Sequence, residues 1–144
     1  MPSSSNTSPK SPKTNAAIRV LVVDDDVFQL EVIADLLRGL GVWDITTAAS
    51  GELAMQAVAK ASGPMGFNLM LSDLQMPGMD GFLFMEALAR TGFSGAFIIV
   101  SGQRSEVLHS ASLVAQLRRF KWIGSLEKPV DRSGLSALLD KVTA

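Results

Sequence analysis

The chain of 144 residues contains no cysteine and only one histidine. Without cysteine it can form neither a disulfide framework nor a thiolate metal site, and it has no cysteine nucleophile. No apolar run approaches the roughly 20 residues of a membrane-spanning helix, and the polar N-terminus lacks the apolar segment of a signal peptide. The formal net charge of -1 gives no electrostatic reason to expect nucleic acid as a partner. We therefore expect a cytoplasmic globular protein that binds neither nucleic acid nor membranes.

The first residues differ in composition from the rest of the chain. Residues 1–16 are almost all Ser, Pro, Asn, Thr and Lys, and such a segment buries too little apolar surface to offset the entropy of ordering. The remainder has the apolar content of a globular protein, with 47% hydrophobic residues over the whole chain. We predict a disordered tail over residues 1–16 and one domain over residues 17–144.

Short apolar runs alternate with segments of helical periodicity along this domain. The runs are Arg19–Val23, Asp44–Ala48, Asn68–Ser72, Ala96–Val100 and Trp122–Leu126. The helical segments are Val27–Leu40, Ser50–Ala61, Gly81–Arg90, Ser105–Arg119 and Arg132–Val142. The first, third and fourth runs are almost continuously apolar, as in parallel strands covered on both faces. Strict alternation of strand and helix predicts an α/β fold with an open parallel sheet and helices on both sides.

The residues that follow the predicted strands carry the polar chemistry. Sites in open parallel sheets form at the carboxyl ends of the strands. Those ends here supply Asp24 and Asp25, Asp73, Ser101 and Lys128. Asp26 and Asp80 precede helical segments and are interpreted as helix caps. One edge of the sheet is thus predicted to bring together carboxylates, a hydroxyl and an ammonium group.

Clustered carboxylates require a cation. At about 5 Å and an effective dielectric constant near 20, each pair repels by roughly 3 kcal/mol. An all-oxygen site favours magnesium, which usually binds substrate phosphate as well. An aspartate can act as a nucleophile that forms an acyl phosphate, while Lys128 and Ser101 can contact phosphoryl oxygens. The sequence therefore predicts magnesium-dependent phosphoryl chemistry.

Four motifs in this order resemble the response-regulator receiver family of two-component signal transduction. They are Leu21-Val22-Val23-Asp24-Asp25, Ser72 to Gly81 (SDLQMPGMDG), Ile99-Val100-Ser101-Gly102 and Glu127-Lys128-Pro129. The resemblance covers about Ile18 to Val142 and implies a flavodoxin-like (βα)5 fold with strand order 2-1-3-4-5. It also implies a cis bond between Lys128 and Pro129.

The resemblance assigns roles to the clustered residues. Asp73 is identified as the phosphoacceptor, with Ser101 as the switch hydroxyl and Lys128 as the partner of the phosphoryl group. Magnesium is expected to bind Asp25, Asp73 and the backbone carbonyl of Gln75, with Asp24 acting mainly through a bound water. The expected protein is not an enzyme with a separate substrate. It is a phosphoacceptor that assists its own phosphorylation and dephosphorylation, and its expected donor is a sensor histidine kinase or a histidine phosphotransfer protein.

The chain departs from the commoner family pattern between Ser101 and Lys128, the part that is expected to transmit the signal. Ser125 stands where many receivers carry an aromatic residue. The stretch from Ser101 to Lys128 is also longer than in compact receivers, and its sequence resembles that of receivers fused to cyclic-di-GMP phosphodiesterase domains. We expect the switching surface to comprise the fourth helix and fifth strand, with a homodimer or a downstream effector domain as further partners.

Two other functions remain open from the residues alone. A haloacid-dehalogenase-type phosphatase would use Asp24 as nucleophile with Asp26 two residues later, but Asp73 would then have no role. A degenerate receiver would act only as a binding module. All the expected site positions hold competent residues, which favours the phosphoacceptor over both alternatives.

Overall fold

The computed structural model describes residues 15–61, 66–73, 81–101, 114 and 118–143. Its strands are β1 (Arg19–Val23), β2 (Asp44–Ala48), β3 (Leu69–Ser72), β4 (Ala96–Ser101) and β5 (Lys121–Glu127). Its helices are α1 (Val27–Gly39), α2 (Gly51–Lys60), α3 (Gly81–Arg90) and α4 (Arg132–Val142). Every predicted strand is present, with ends that differ by at most one residue from the prediction. The predicted tail lies mostly outside the described residues, as does most of the predicted helix Ser105–Arg119.

The five strands form one parallel sheet in the order β2-β1-β3-β4-β5. This is the predicted order 2-1-3-4-5. Since all strands run in one direction, their carboxyl ends share a single edge of the sheet, and the order reverses between β1 and β3. The fold class is therefore confirmed, and the predicted site residues fall at the edge where the strand order reverses.

The sheet separates two apolar layers. Alternate residues of β1 point to opposite sides, so Val20 and Val22 join one layer while Leu21 and Val23 join the other. Helices α1 and α4 cover the first layer, and helices α2 and α3 cover the second. Burial on both faces explains why the central strands are continuously apolar. Within the described residues, no helix has the length and apolar character needed to cross a bilayer.

Side-chain oxygens cap three of the helices. The Asp26 carboxylate accepts a hydrogen bond from the Phe28 N–H at 3.0 Å, which confirms its predicted role as the cap of α1. Ser50 caps α2 in the same way, and Asp131 accepts from Gly134 N–H at 2.7 Å at the start of α4. Such caps satisfy N–H groups that have no partner within the helix. Asp80, the predicted cap of α3, lies outside the described residues.

Strand β5 contains one residue more than the ladder requires. Phe97 of β4 is paired with Trp122, whereas Ile98 is paired with Gly124, so Ile123 is the extra residue of a bulge. Gly124 has a φ of 155°, and a Cβ atom there would lie 3.1 Å from Leu138 Cδ2. The bulge thus depends on a residue without a side chain at this position.

Two asparagines hold the amino ends of the strands together. Asn68 Oδ1 accepts from the Arg19 N–H at 2.7 Å, and its Nδ2 donates to the Ala17 carbonyl at 3.0 Å. Its backbone N–H and C=O bond to Arg19 and Ala96 as well. Asn15 is buried, and its Nδ2 donates to the Leu40 carbonyl just beyond α1. These bonds fix the segment that leads into β1.

Candidate functional site

Three carboxylates meet at the carboxyl ends of β1 and β3. Asp24 and Asp25 follow β1, Asp73 follows β3, and one oxygen from each lies within 4.8 Å of the others. Asp24 and Asp73 are buried, with 1% and 5% of their surface exposed, whereas Asp25 is exposed. The structure therefore brings together the three aspartates that the sequence predicts as a cluster.

Backbone hydrogen bonds extend the sheet into this cluster. The Asp73 N–H donates to the Val23 carbonyl at 3.0 Å, and the Asp24 N–H donates to the Ala48 carbonyl at 3.1 Å. The Asp26 N–H donates to Asp24 Oδ1 at 2.9 Å. Because the two bonds between backbone groups continue the ladder beyond the strand ends, the positions of Asp24 and Asp73 are set by the rigid sheet.

Lys128 supplies the positive charge of the site. Its Nζ lies 2.9 Å from Asp24 Oδ2 and 2.9 Å from Asp73 Oδ2, and its side chain is 25% exposed. The following bond to Pro129 is cis, as the family resemblance implies. A single ammonium thus bridges the two buried carboxylates, which come from different strands.

The pKa values of Asp24 and Lys128 are both raised above their ordinary values, for different physical reasons. Burial raises the pKa of Asp24, and the Lys128 ammonium and the Asp26 N–H offset this effect only in part. Burial would lower the pKa of Lys128, but its bonds to Asp24 and Asp73 outweigh that effect and raise the pKa. Lys128 therefore stays charged throughout the physiological range, while the ionised form of Asp24 is disfavoured by its surroundings.

Of the two remaining predicted site residues, only Ser101 is described, and it is placed by its backbone. Ser101 is the last residue of β4. Its partner in β5 is Glu127, the residue before Lys128, so Ser101 lies at the same edge of the sheet as Asp73. Gln75 lies outside the described residues. The structure also shows a polar contact that sequence reasoning missed. The buried Ser72 hydroxyl donates to the Asp73 carbonyl at 3.0 Å, and the only sequence signal was a hydroxyl ending an apolar run.

The donor set fits a hard divalent cation. Two buried carboxylates and one exposed carboxylate offer only oxygen atoms, and their spacing lets one ion contact oxygens from all three. Among the described residues, one ammonium for three carboxylates leaves the cluster with a formal charge of -2. The residues present therefore fit magnesium, the ion expected from the sequence.

Comparisons with known proteins agree with this geometry. The sequence profile of the response regulator receiver domain matches residues 20–140. A probable chemotaxis protein CheY of Rhizobium etli is 36% identical over 102 residues, which cover 68% of this chain and 76% of that protein. The cyclic di-GMP phosphodiesterase RocR of Pseudomonas aeruginosa is 29% identical over 128 residues, covering 88% of this chain but only 32% of RocR.

Solved structures show the same fold. The chemotaxis response regulator CheY4 of Vibrio cholerae has a TM-score of 0.68 and 26% identity, covering 87% of this chain and 98% of that chain. CheY in the CheX-CheY-BeF3-Mg complex of Borrelia burgdorferi has a TM-score of 0.75 and 23% identity, covering 88% and 90%. Nothing in these likenesses favours a phosphatase or a degenerate receiver. The chain belongs to the response regulator receiver domain family.

Proposed function

We propose that the chain accepts a phosphoryl group on Asp73 in a magnesium-dependent reaction. The observation that carries this proposal is the Lys128 ammonium, 2.9 Å from both Asp24 and Asp73 at the end of the central strands. A buried carboxylate beside a fixed cation and two further acidic side chains has what a phosphoryl acceptor needs. It has a nucleophile, a group that stabilises phosphoryl oxygens, and a place for a metal ion.

Phosphoryl transfer forms a bond between an Asp73 carboxylate oxygen and phosphorus while the bond from phosphorus to the donor nitrogen breaks. The sheet positions the nucleophile, since the Asp73 N–H is bonded to Val23. Lys128 carries the positive charge that faces the phosphoryl oxygens, and Ser101 supplies a hydroxyl from the adjacent strand end. Asp24, Asp25, Asp73 and the Gln75 carbonyl would hold magnesium. When bound, the ion neutralises charge on the phosphoryl group and orients it.

The donor in this proposal is a phosphohistidine of a sensor histidine kinase or a histidine phosphotransfer protein in the cytoplasm. The only histidine of this chain, His109, is not the proposed phosphohistidine, because the donor histidine in such relays belongs to the partner protein. The chain covers a small part of RocR and of the transcriptional regulator ZraR of Escherichia coli, at 32% and 27% of their lengths. Such relatives support an effector domain as the recipient of the signal, and a second copy of this chain is the other proposed recipient.

The signal is proposed to leave through the predicted helix Ser105–Arg119 together with Lys121–Ser125. Ser125 is half-buried on β5, and it is too small to expose a large apolar area on turning. The sequence has a glycine, Gly102, directly after the proposed switch hydroxyl, and a glycine leaves a loop conformationally free to switch. We therefore expect Gly102→Pro to suppress a beryllofluoride-induced change in self-association or partner affinity, measured by sedimentation, while Ser125→Ala retains it. The opposite result would contradict this route.

Intact-mass analysis after incubation with acetyl phosphate and magnesium tests the function. Wild type should gain one phosphoryl group, Asp73→Asn should gain none, and Asp24→Asn should be labelled more slowly. Both variants remove one negative charge from the same cluster, so each controls for the electrostatic effect of the other. Labelling of Asp73→Asn together with loss of labelling in Asp24→Asn would support the phosphatase instead.

A further inference from the structure

Ser72 is a buried hydroxyl in an apolar layer. It ends β3 with 1% of its surface exposed. Its partners in the neighbouring strands are Val23 and Ile99, which belong to the apolar layer beneath α2 and α3. Burying a hydroxyl among such side chains is unfavourable unless it forms a hydrogen bond. The Ser72 Oγ finds its partner in the Asp73 carbonyl, at 3.0 Å.

This bond completes the restraint of the Asp73 backbone. The Asp73 N–H donates to the Val23 carbonyl in β1 at 3.0 Å, and the Asp73 carbonyl accepts from Ser72. One bond restrains the peptide group before Asp73 and the other restrains the peptide group after it. Together they restrain the backbone of Asp73, and with it the position from which its carboxylate extends toward Lys128 and Asp24.

We propose that Ser72 is a positioning residue for the reaction at Asp73. The proposal rests on the phosphoacceptor function argued above, and Ser72 itself does not touch the phosphoryl group. Its hydroxyl holds the Asp73 carboxylate where the Lys128 ammonium and the proposed magnesium site need it. A small misplacement of a reacting group lowers a rate strongly. Losing one neutral hydrogen bond should therefore slow labelling about fivefold, the factor that corresponds to about 1 kcal/mol.

The test compares the rate of labelling by acetyl phosphate with magnesium affinity, which is obtained from the magnesium dependence of the melting temperature. Ser72→Ala should slow labelling about fivefold and weaken magnesium binding by a similar factor. Ser72→Thr keeps the hydroxyl on a residue suited to a strand, so it should restore both. Thr91→Ala is the matched control, because it removes a hydroxyl that donates to the Leu88 carbonyl at 2.6 Å at the end of α3. It should change neither quantity.

The outcomes separate positioning from general stability. Wild-type labelling and magnesium affinity in folded Ser72→Ala would overturn the proposal. An equal loss of labelling rate and magnesium affinity in Thr91→Ala would also overturn it, because a general loss of stability would then explain both variants. If wild type fails to label at Asp73, the phosphoacceptor function falls instead. The magnesium affinities of Ser72→Ala and Ser72→Thr would still show whether the hydroxyl positions the carboxylate.

Discussion

Replacing Asp25 with alanine should have opposite effects on stability with and without magnesium. Asp25 is the exposed member of the cluster, and its carboxylate lies within 4.8 Å of Asp24 and Asp73. Without magnesium, its charge adds to the negative charge of a cluster in which Lys128 balances only one of the other two carboxylates. With magnesium, the same carboxylate is the proposed direct ligand. The variant should therefore be more stable than wild type in chelator and less stable in saturating magnesium.

The size of each effect follows from the geometry. Two charges at 4.8 Å, the upper limit of the separations in this cluster, repel by about 3.5 kcal/mol at an effective dielectric constant of 20. Because Asp25 is exposed, solvent screening reduces this gain to about 1 kcal/mol. Magnesium at 100 times its dissociation constant stabilises wild type by about 2.7 kcal/mol. A hundredfold weaker site at the same concentration contributes only about 0.4 kcal/mol. The two stability differences therefore have opposite signs, each on the order of 1 kcal/mol.

Urea unfolding in EDTA and in magnesium, followed by tryptophan fluorescence, measures both differences. Glu31→Ala is the control, since it removes an exposed carboxylate from α1 without touching the cluster. Its response to magnesium should equal that of wild type. If Asp25→Ala gains as much stability from magnesium as wild type does, the ion binds elsewhere and the reasoning fails.

Three further predictions address the scaffold, the ammonium and the switch. Asn68→Ala removes two side-chain hydrogen bonds and should lower the free energy of unfolding by about 1–3 kcal/mol, with labelling of Asp73 unchanged; slower labelling would contradict a purely structural role. Lys128 has a pKa raised above 10.5, so its stabilising contribution is complete below pH 10.5 and is lost as the pH rises through its folded-state pKa. Urea titrations at alkaline pH should show this loss of stability in wild type. If Lys128→Met loses the same stability at alkaline pH, another group is responsible. Ser101→Ala should still be labelled but show a smaller change in amide exchange over 105–126; a full-sized change would remove Ser101 as the switch.

The sequence was most informative where one chain segment determines the outcome. Strand β1 is continuously apolar and ends at Asp24, so the end of the strand and the start of the site coincide in the sequence. The same holds for β3 and Asp73. A carboxylate directly after a buried run can only lie at the sheet edge, which is why the cluster could be predicted without coordinates. The capping role of Asp26 was equally local.

Features that depend on contacts between distant segments could not be predicted. Asn68 looked like the polar start of a strand, yet its side chain bonds to Ala17 and Arg19, roughly fifty positions earlier in the chain. The bond from the Ser72 hydroxyl to the Asp73 carbonyl joins neighbouring residues, but it could not be predicted either, because the burial of Ser72 depends on its partner strands β1 and β4. Alternation also could not show that β5 contains a bulge, since Ile123 and Gly124 are both compatible with an ordinary strand.

The bulge in β5 determines on which side of the sheet the residues after it emerge. Trp122 packs in the layer beneath α2 and α3, whereas Leu126 packs against the layer beneath α1 and α4. Four residues apart in a regular strand, they would face the same side, and the inserted Ile123 inverts the phase between them. Lys128 follows this inverted segment and reaches Asp24 and Asp73. Beyond the bulge, Gly124 to Glu127 are again in register with β4, so the extra residue lengthens the chain between Trp122 and Lys128 without changing the sheet edge at which Lys128 emerges. The number of residues between the aromatic side chain of β5 and the lysine is therefore set by the bulge, whereas the position of the lysine at the site is set by the pairing of β5 with β4.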